Sequence, residues 1–196
     1  MSENIAVLYT NAKNIGFPTG TFDIVLCGFM GWDDCYDFVH HKFNQPDTKA
    51  TEIHRVLKEA GRFMCCSWES QEDLAWMEET MERYYPSLLN DTQYLQERTI
   101  GMAHENAQGY EIILNTAGFR DIQVTRETAE FVSTDEAEFW RQMQSIGWDV
   151  FFKKIEKIKS DELQLIKYAI YQDIQSHKQA DGIHFTKSVF YVSGVK

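Results

Sequence analysis

Histidine and cysteine are the side chains of this 196-residue sequence best suited to chemistry near neutral pH, and their spacing narrows what they could do. His40 and His41 are adjacent, which is not the i, i+4 presentation of a helical metal site. With no clear third ligand nearby, no metal is expected. Cys27, Cys35, Cys65 and Cys66 show no C-x-x-C spacing, and three of them fall in apolar runs where a free thiol behaves as a small hydrophobe. Neither a G-x-S-x-G elbow nor a phosphate loop occurs. A base is needed only where an acceptor must lose a proton; His40, His41 and His184 could serve, although a surface or satisfied core imidazole is the simpler reading of each. Trp32, Trp140 and Trp148, with His40, are the candidates for lining a substrate pocket, but tryptophan is also the largest core filler.

The element that must position such groups is the stretch Gly16 to Gly28. A Pro/Gly turn feeds Phe22 to Cys27, an apolar and β-branched run that reads as a strand covered on both faces. Gly28-Phe29-Met30-Gly31-Trp32 marks its carboxyl end, where open α/β sheets place their ligands and where glycine admits close backbone approach. Pro46-Asp47 opens a helix with Ala50, Ile53, His54 and Leu57 on one face and Gly61 as its stop, followed by an apolar strand to Trp68. Strand, helix and strand predict one parallel βαβ unit.

"FPTGTFDIVLCGFMGW" and "EIHRVLKEAGRFMCCSW" resemble the fourth strand, the following helix and the fifth strand of class I S-adenosylmethionine-dependent methyltransferases, in the small-molecule group related to the quinone-biosynthesis C-methyltransferases. The family's D-A-x-x-L-P-F and E-x-x-R-V-L-K-P-G-G become Asn11-Ala12-Lys13-Asn14-Ile15-Gly16-Phe17 and a segment ending Lys58-Glu59-Ala60-Gly61. The resemblance implies a Rossmann-like three-layer α/β sheet, with S-adenosylmethionine contacted by Asn11, Ala12 and the strand end Cys27, Gly28, Phe29 and Met30. Asn11 would meet the adenine through its side-chain carbonyl; the alternative is an asparagine that only stabilises a turn.

The resemblance covers only the second half of that fold. No G-x-G-x-G triplet occurs, and no room for two strands and two helices precedes Ile5. A truncated chain of this kind is expected to bind the donor weakly or not at all, because transfer from a sulfonium depends on holding donor and acceptor in line. It would also leave the strand at Phe22 exposed along one edge. The partner expected is therefore a second copy, as a homodimer, or a chain supplying the missing N-terminal half. The alternative function is a non-catalytic methyltransferase remnant that acts as a binding or partner-interaction module.

Further along, Leu74, Met77 and Met81 follow helical spacing within 69–85, while 87–108 is polar and weakly periodic. Tyr110 to Ala117 predicts a helix capped by Gly118, followed by an alternating strand over 119–125. Ser133-Thr134-Asp135-Glu136 carries capping-box chemistry ahead of a helix ending at Gly147; Leu163, Ile166, Ile170 and Ile174 mark another; and Asp181-Gly182 turns into a closing strand over 183–195. Residues 132–182 are thus expected as a helical insertion into a core of 1–131 and 183–196. With 19 basic against 30 acidic residues and a net charge of −11, nucleic acid is an unsuitable substrate. Reduced cysteines and the lack of a signal peptide or long apolar run point to the cytoplasm, without membrane association.

Overall fold

A computed structural model describes residues 8–32, 34–84, 105–145, 148, 152–153 and 160–196. In chain order the elements are strands β1 (Phe22–Gly28), β2 (Tyr36–Asp37) and β3 (Lys42–Phe43), helix α1 (Lys49–Val56), strand β4 (Leu57–Gln71) and helix α2 (Glu72–Tyr84). Helix α3 (Ala107–Thr116), strand β5 (Arg120–Ser133), helices α4 (Glu136–Ser145) and α5 (Ser160–Asp173), a 3-10 turn (Ile174–His177) and strands β6 (Lys178–Gln179) and β7 (Gly182–Val195) complete them. The result is a mixed α/β fold around a five-stranded central sheet of order β1-β4-β7-β5, with β6 paired to β7.

The expected βαβ unit is present. β1 and β4 run parallel, with Val25 opposite Phe63 and Cys27 opposite Cys65, and α1 makes the crossover. Helix α1 is shorter than the sequence suggests: it ends at Val56, and the strand starts at Leu57, not at the Gly61 expected to stop it. The register jumps from Phe22↔Leu57 to Ile24↔Arg62, so Lys58 to Gly61 are accommodated as a local irregularity between the two strands. Asp47 begins the helix by accepting from the amides of Lys49 (2.8 Å) and Ala50. At its other end, Gly20 N–H donates to Arg55 O at 3.1 Å, Thr21 N–H to Val56 O at 2.7 Å and Lys196 Nζ to Leu57 O at 2.8 Å, so these carbonyls are all engaged.

The chain divides into two compact units. The first comprises residues up to Glu69, His104–Arg126 and Val189–Lys196. Its core gathers Trp32, Tyr36, Ile53, Leu57, Phe63, Tyr110, Leu114, Phe119 and Phe190, supplied by the strands, by α1 and α3 and by the β2–β3 hairpin. Lys196 N–H donates to Gly61 O (3.0 Å) and Cys65 Sγ lies against Val192 O (3.6 Å), so β7 runs opposite to β4 here. Helix α3 starts on Asn106, whose side chain accepts from Gly109 N–H, and closes in a Schellman arrangement: Phe119 N–H reaches Leu114 O, and Gly118 N–H reaches Asn115 O. Gly118 has φ +97, the left-handed backbone that this arrangement requires.

The helical layer leaves part of the sheet bare. Ile24 and Leu26 of β1 are 61% and 71% exposed, and Met64 of β4 is 45% exposed. β1 has a single neighbour in the sheet, so its other edge is unpaired among the described residues. The sequence predicts a strand buried on both faces; the structure corrects this to an edge strand half-buried on one, at Val25 and Cys27, and exposed on the other. The second helical layer of a three-layer arrangement is not supplied by the described residues.

The second unit comprises, among the described residues, 70–84, 127–145, 148, 152–153 and 160–188. Met77 and Met81 are fully buried beside Phe139, Trp140, Met143, Phe152, Ile166, Ile170, Ile174 and Phe185, so the methionine stripe is core. Helix α4 is capped two residues later than the sequence suggests: Asp135 accepts from Glu138 N–H (2.8 Å), while the Glu138 carboxylate accepts from Thr134 N–H (2.7 Å) and Oγ1 (2.6 Å). The Gly147 expected to end this helix lies outside the described residues. Asp73 is buried and pairs with Lys187 at 2.7 Å.

Candidate functional site

The carboxyl ends of β1 and β4 lie in the first unit and are held by an acid that the sequence does not single out. Glu105, 7% exposed, accepts from Trp32 N–H at 2.8 Å, from Tyr110 OH at 2.6 Å and from Ser67 Oγ. One carboxylate therefore joins the loop after β1, the end of β4 and the first turn of α3. Burial, with the Glu105 charge beside it, pushes the Tyr110 hydroxyl well above its ordinary pKa, so it stays a donor. Lys49 Nζ adds a second tie by donating to Gly31 O at 2.7 Å.

What this network holds is an open backbone platform. A Cβ placed on Gly28 would meet nothing within 4 Å. Phe29 adopts φ 52, donates its N–H to Cys66 O at 3.0 Å and stacks its ring on Trp68 with centroids 4.8 Å apart. Cys27 and Met30 are half-buried beside it. A flat, partly apolar group could lie against Gly28 and Phe29 without displacing a side chain.

The other residues expected at the site are placed as follows. Asn11 Oδ1 accepts from Lys13 N–H at 2.9 Å, and Asn11 O accepts from Asn14 N–H at 2.8 Å, which is the turn-stabilising arrangement. Asn11 is exposed and Ala12 half-exposed. Trp32 is corrected from pocket wall to core: it is fully buried, edge-on to Tyr110 at 5.2 Å and to Phe63 at 6.5 Å, and its Nε1–H donates to Asp47 at 3.2 Å. His40 is likewise corrected. It is exposed on the β2–β3 hairpin with Nδ1 2.8 Å from Asp37, whose carboxylate also accepts from the amides of Val39 and His40, so the pair shapes a turn. His184 belongs to the second unit, where Asp181 raises its pKa through a 2.8 Å contact. Trp140 and Trp148 are also in the second unit, both 5% exposed and both stacked on Phe152. Among the described residues no three His, Cys, Asp or Glu side chains gather as metal ligands. Among the described residues no helix is long and apolar enough to cross a membrane.

S-adenosylmethionine carries an adenine, a ribose and a charged amino-acid end. The platform at Gly28 and Phe29 fits a flat ring, and Asn11 Oδ1 keeps a second lone pair for an amine. No buried charged group among those described here stands free to bind ribose hydroxyls or a carboxylate. The described residues fit part of the donor and not the whole, and no step of transfer is derived through it.

Residues 2–65 match the methyltransferase-domain family. No curated protein sequence is a significant match. Among solved structures, the YcgJ protein of Bacillus subtilis is 17% identical with a TM-score of 0.45, over 95% of this chain and 69% of that one. A SAM-dependent methyltransferase of Archaeoglobus fulgidus is 14% identical with a TM-score of 0.41, over 100% and 69%. Haemonchus contortus phosphoethanolamine N-methyltransferase 2, solved with S-adenosyl-L-methionine, is 16% identical with a TM-score of 0.40, over 95% of this chain and 36% of that one. These TM-scores all lie below 0.5, so the match over 2–65 and the residues themselves carry the assignment. Through that segment, which holds β1, α1 and the first part of β4, the chain is similar to the methyltransferase-domain family.

Proposed function

We propose that this chain is one part of a cytoplasmic S-adenosylmethionine-dependent methyltransferase for a small-molecule acceptor, and that a second copy or a separate partner chain completes its donor site. The observation that supports this reading is the open strand end at Gly28 and Phe29 beside an unpaired β1 edge, with Ile24, Leu26 and Met64 exposed. An apolar edge of this kind is a template for pairing with another chain. A specific observation favours the alternative of a non-catalytic binding module: Asn11 is exposed and its side chain stabilises the turn at Lys13.

Native mass spectrometry combined with calorimetry tests the proposal. A dimer or a captured partner chain is expected, and the isolated monomer should give no heat with micromolar S-adenosylmethionine. Micromolar binding by a strict monomer would show that no partner is needed. A completed assembly that still ignores the donor at millimolar concentration would support the binding-module reading.

A further inference from the structure

The second unit contains a cavity of about 430 Å³, a size suited to a small organic ligand. Helix α4 presents Ala137, Trp140, Arg141 and Gln144 to it, and α5 presents Leu163, Gln164, Lys167 and Tyr171; both sets recur at three- and four-residue spacing, so each is one helix face. Phe152 and Lys153 complete the lining.

Its chemistry runs against that of the whole chain. The lining includes Arg141, Lys153 and Lys167 and no carboxylate, in a sequence with 30 acidic and 19 basic residues. The aromatic part is rigid, since Trp140 and Phe152 stack with centroids 4.3 Å apart and planes 20° apart, and both are at least 95% buried. Lys167 is half-buried, and its Nζ lies over the rings of Trp140 (5.6 Å) and Tyr171 (5.5 Å). No carboxylate among the described residues pairs with it at ion-pair distance. Arg141, by contrast, acts on the charge of Glu138, so part of its own charge is already met by that carboxylate.

We infer that this cavity binds a small planar aromatic anion, such as an arenecarboxylate. Its ring lies along Tyr171 and the exposed edge of the Trp140–Phe152 stack, and its charge meets Lys167 first and Arg141 beside it. A neutral ring would gain only the wall, and a cationic ring would meet the like charge of Lys167. This inference goes beyond methyl transfer and needs no methyl donor.

Calorimetry on the full chain, with no donor present, supplies the test, using 1-naphthoate, 1-naphthylmethanol and 1-naphthylmethylammonium as probes. Naphthoate should bind at least about tenfold more tightly than the neutral probe, with no detectable binding of the cation. The double variant K167Q/R141Q should erase the preference for the anion. A137F, an exposed helix position that lines the cavity, should block naphthoate and the neutral probe without unfolding the chain, as checked by circular dichroism. Equal binding of the three probes, naphthoate binding unchanged in K167Q/R141Q, or no naphthoate binding at millimolar concentration would each overturn the inference. None of these results bears on donor binding, which the separate experiment reads.

Discussion

Replacing Glu105 by glutamine tests whether one buried acid holds the strand ends in place. The carboxylate accepts three hydrogen bonds, one from the Trp32 amide on Oε1 and two from the Ser67 and Tyr110 hydroxyls on Oε2. Glutamine keeps one carbonyl, best spent on the Trp32 amide, because hydroxyls can rotate to accept from the new NH₂ and an amide cannot. All three bonds then survive in some form but lose their charge assistance. Hydrogen bonds to a charged group contribute about 1.5–3 kcal/mol and neutral ones about 0.5–1.5, so the loss is about 1 kcal/mol per bond and about 3 kcal/mol in all. For a chain of this size that corresponds to a fall in Tm of about 6–12 °C. Tyr110→Phe removes one of the same donors, so the two changes are coupled, and the double variant should be about 1 kcal/mol more stable than the sum of the singles predicts. Urea denaturation followed by circular dichroism on the four proteins measures this. If E105Q is as stable as the parent, or more stable, the desolvation cost of the buried carboxylate outweighs its three bonds and the reasoning fails. Strict additivity would show that Tyr110 and Glu105 do not act on each other.

Two further outcomes follow from charges seen in the structure. The Glu52 carboxyl is held at about 2, first by its bonds to Arg55 and also by Ile15 N–H; its folded pKa lies below the unfolded value, so this contribution is complete above about pH 4.5 and is lost as pH falls toward 2, and E52Q should flatten the Tm-against-pH curve between about pH 5 and 3 while wild type declines. Lys187→Met strips the buried Asp73 of its 2.7 Å partner and should cost about 3 kcal/mol in a denaturation experiment, whereas a cost under about 0.5 kcal/mol would mean that Asp73 finds water.

The fold was legible where the local pattern and the tertiary environment agree. Phe22 to Cys27 and the strand through Phe63 are parallel neighbours as their apolar runs suggest, and Gly118 ends its helix because only a left-handed residue closes that turn. Burial on both faces was misread because an unbroken apolar run looks the same in a central strand and in an edge strand that leaves Ile24 and Leu26 bare. Glu105 was missed because it lies in a polar, weakly periodic stretch, and its partners Trp32 and Ser67 are 73 and 38 residues away. The one local clue was Asn106, a capping residue that announces a helix immediately after the acid. Trp32 and His40 illustrate the opposite error: chemically suggestive side chains whose surroundings make one of them core and the other part of a turn.

The clasp that Lys196 forms at the end of α1 sets an order of events during translation. Its Nζ reaches Arg55 O from 141 positions along the chain, and β7, the strand that shields the other side of β4, is made just before it. At a ribosomal pace of about 5–20 residues per second, β1, α1 and β4, complete at Gln71, wait about 6–25 s for that strand to be finished at Val195. During that interval the edge of β4 that β7 later covers is open, which is when chaperones would find it.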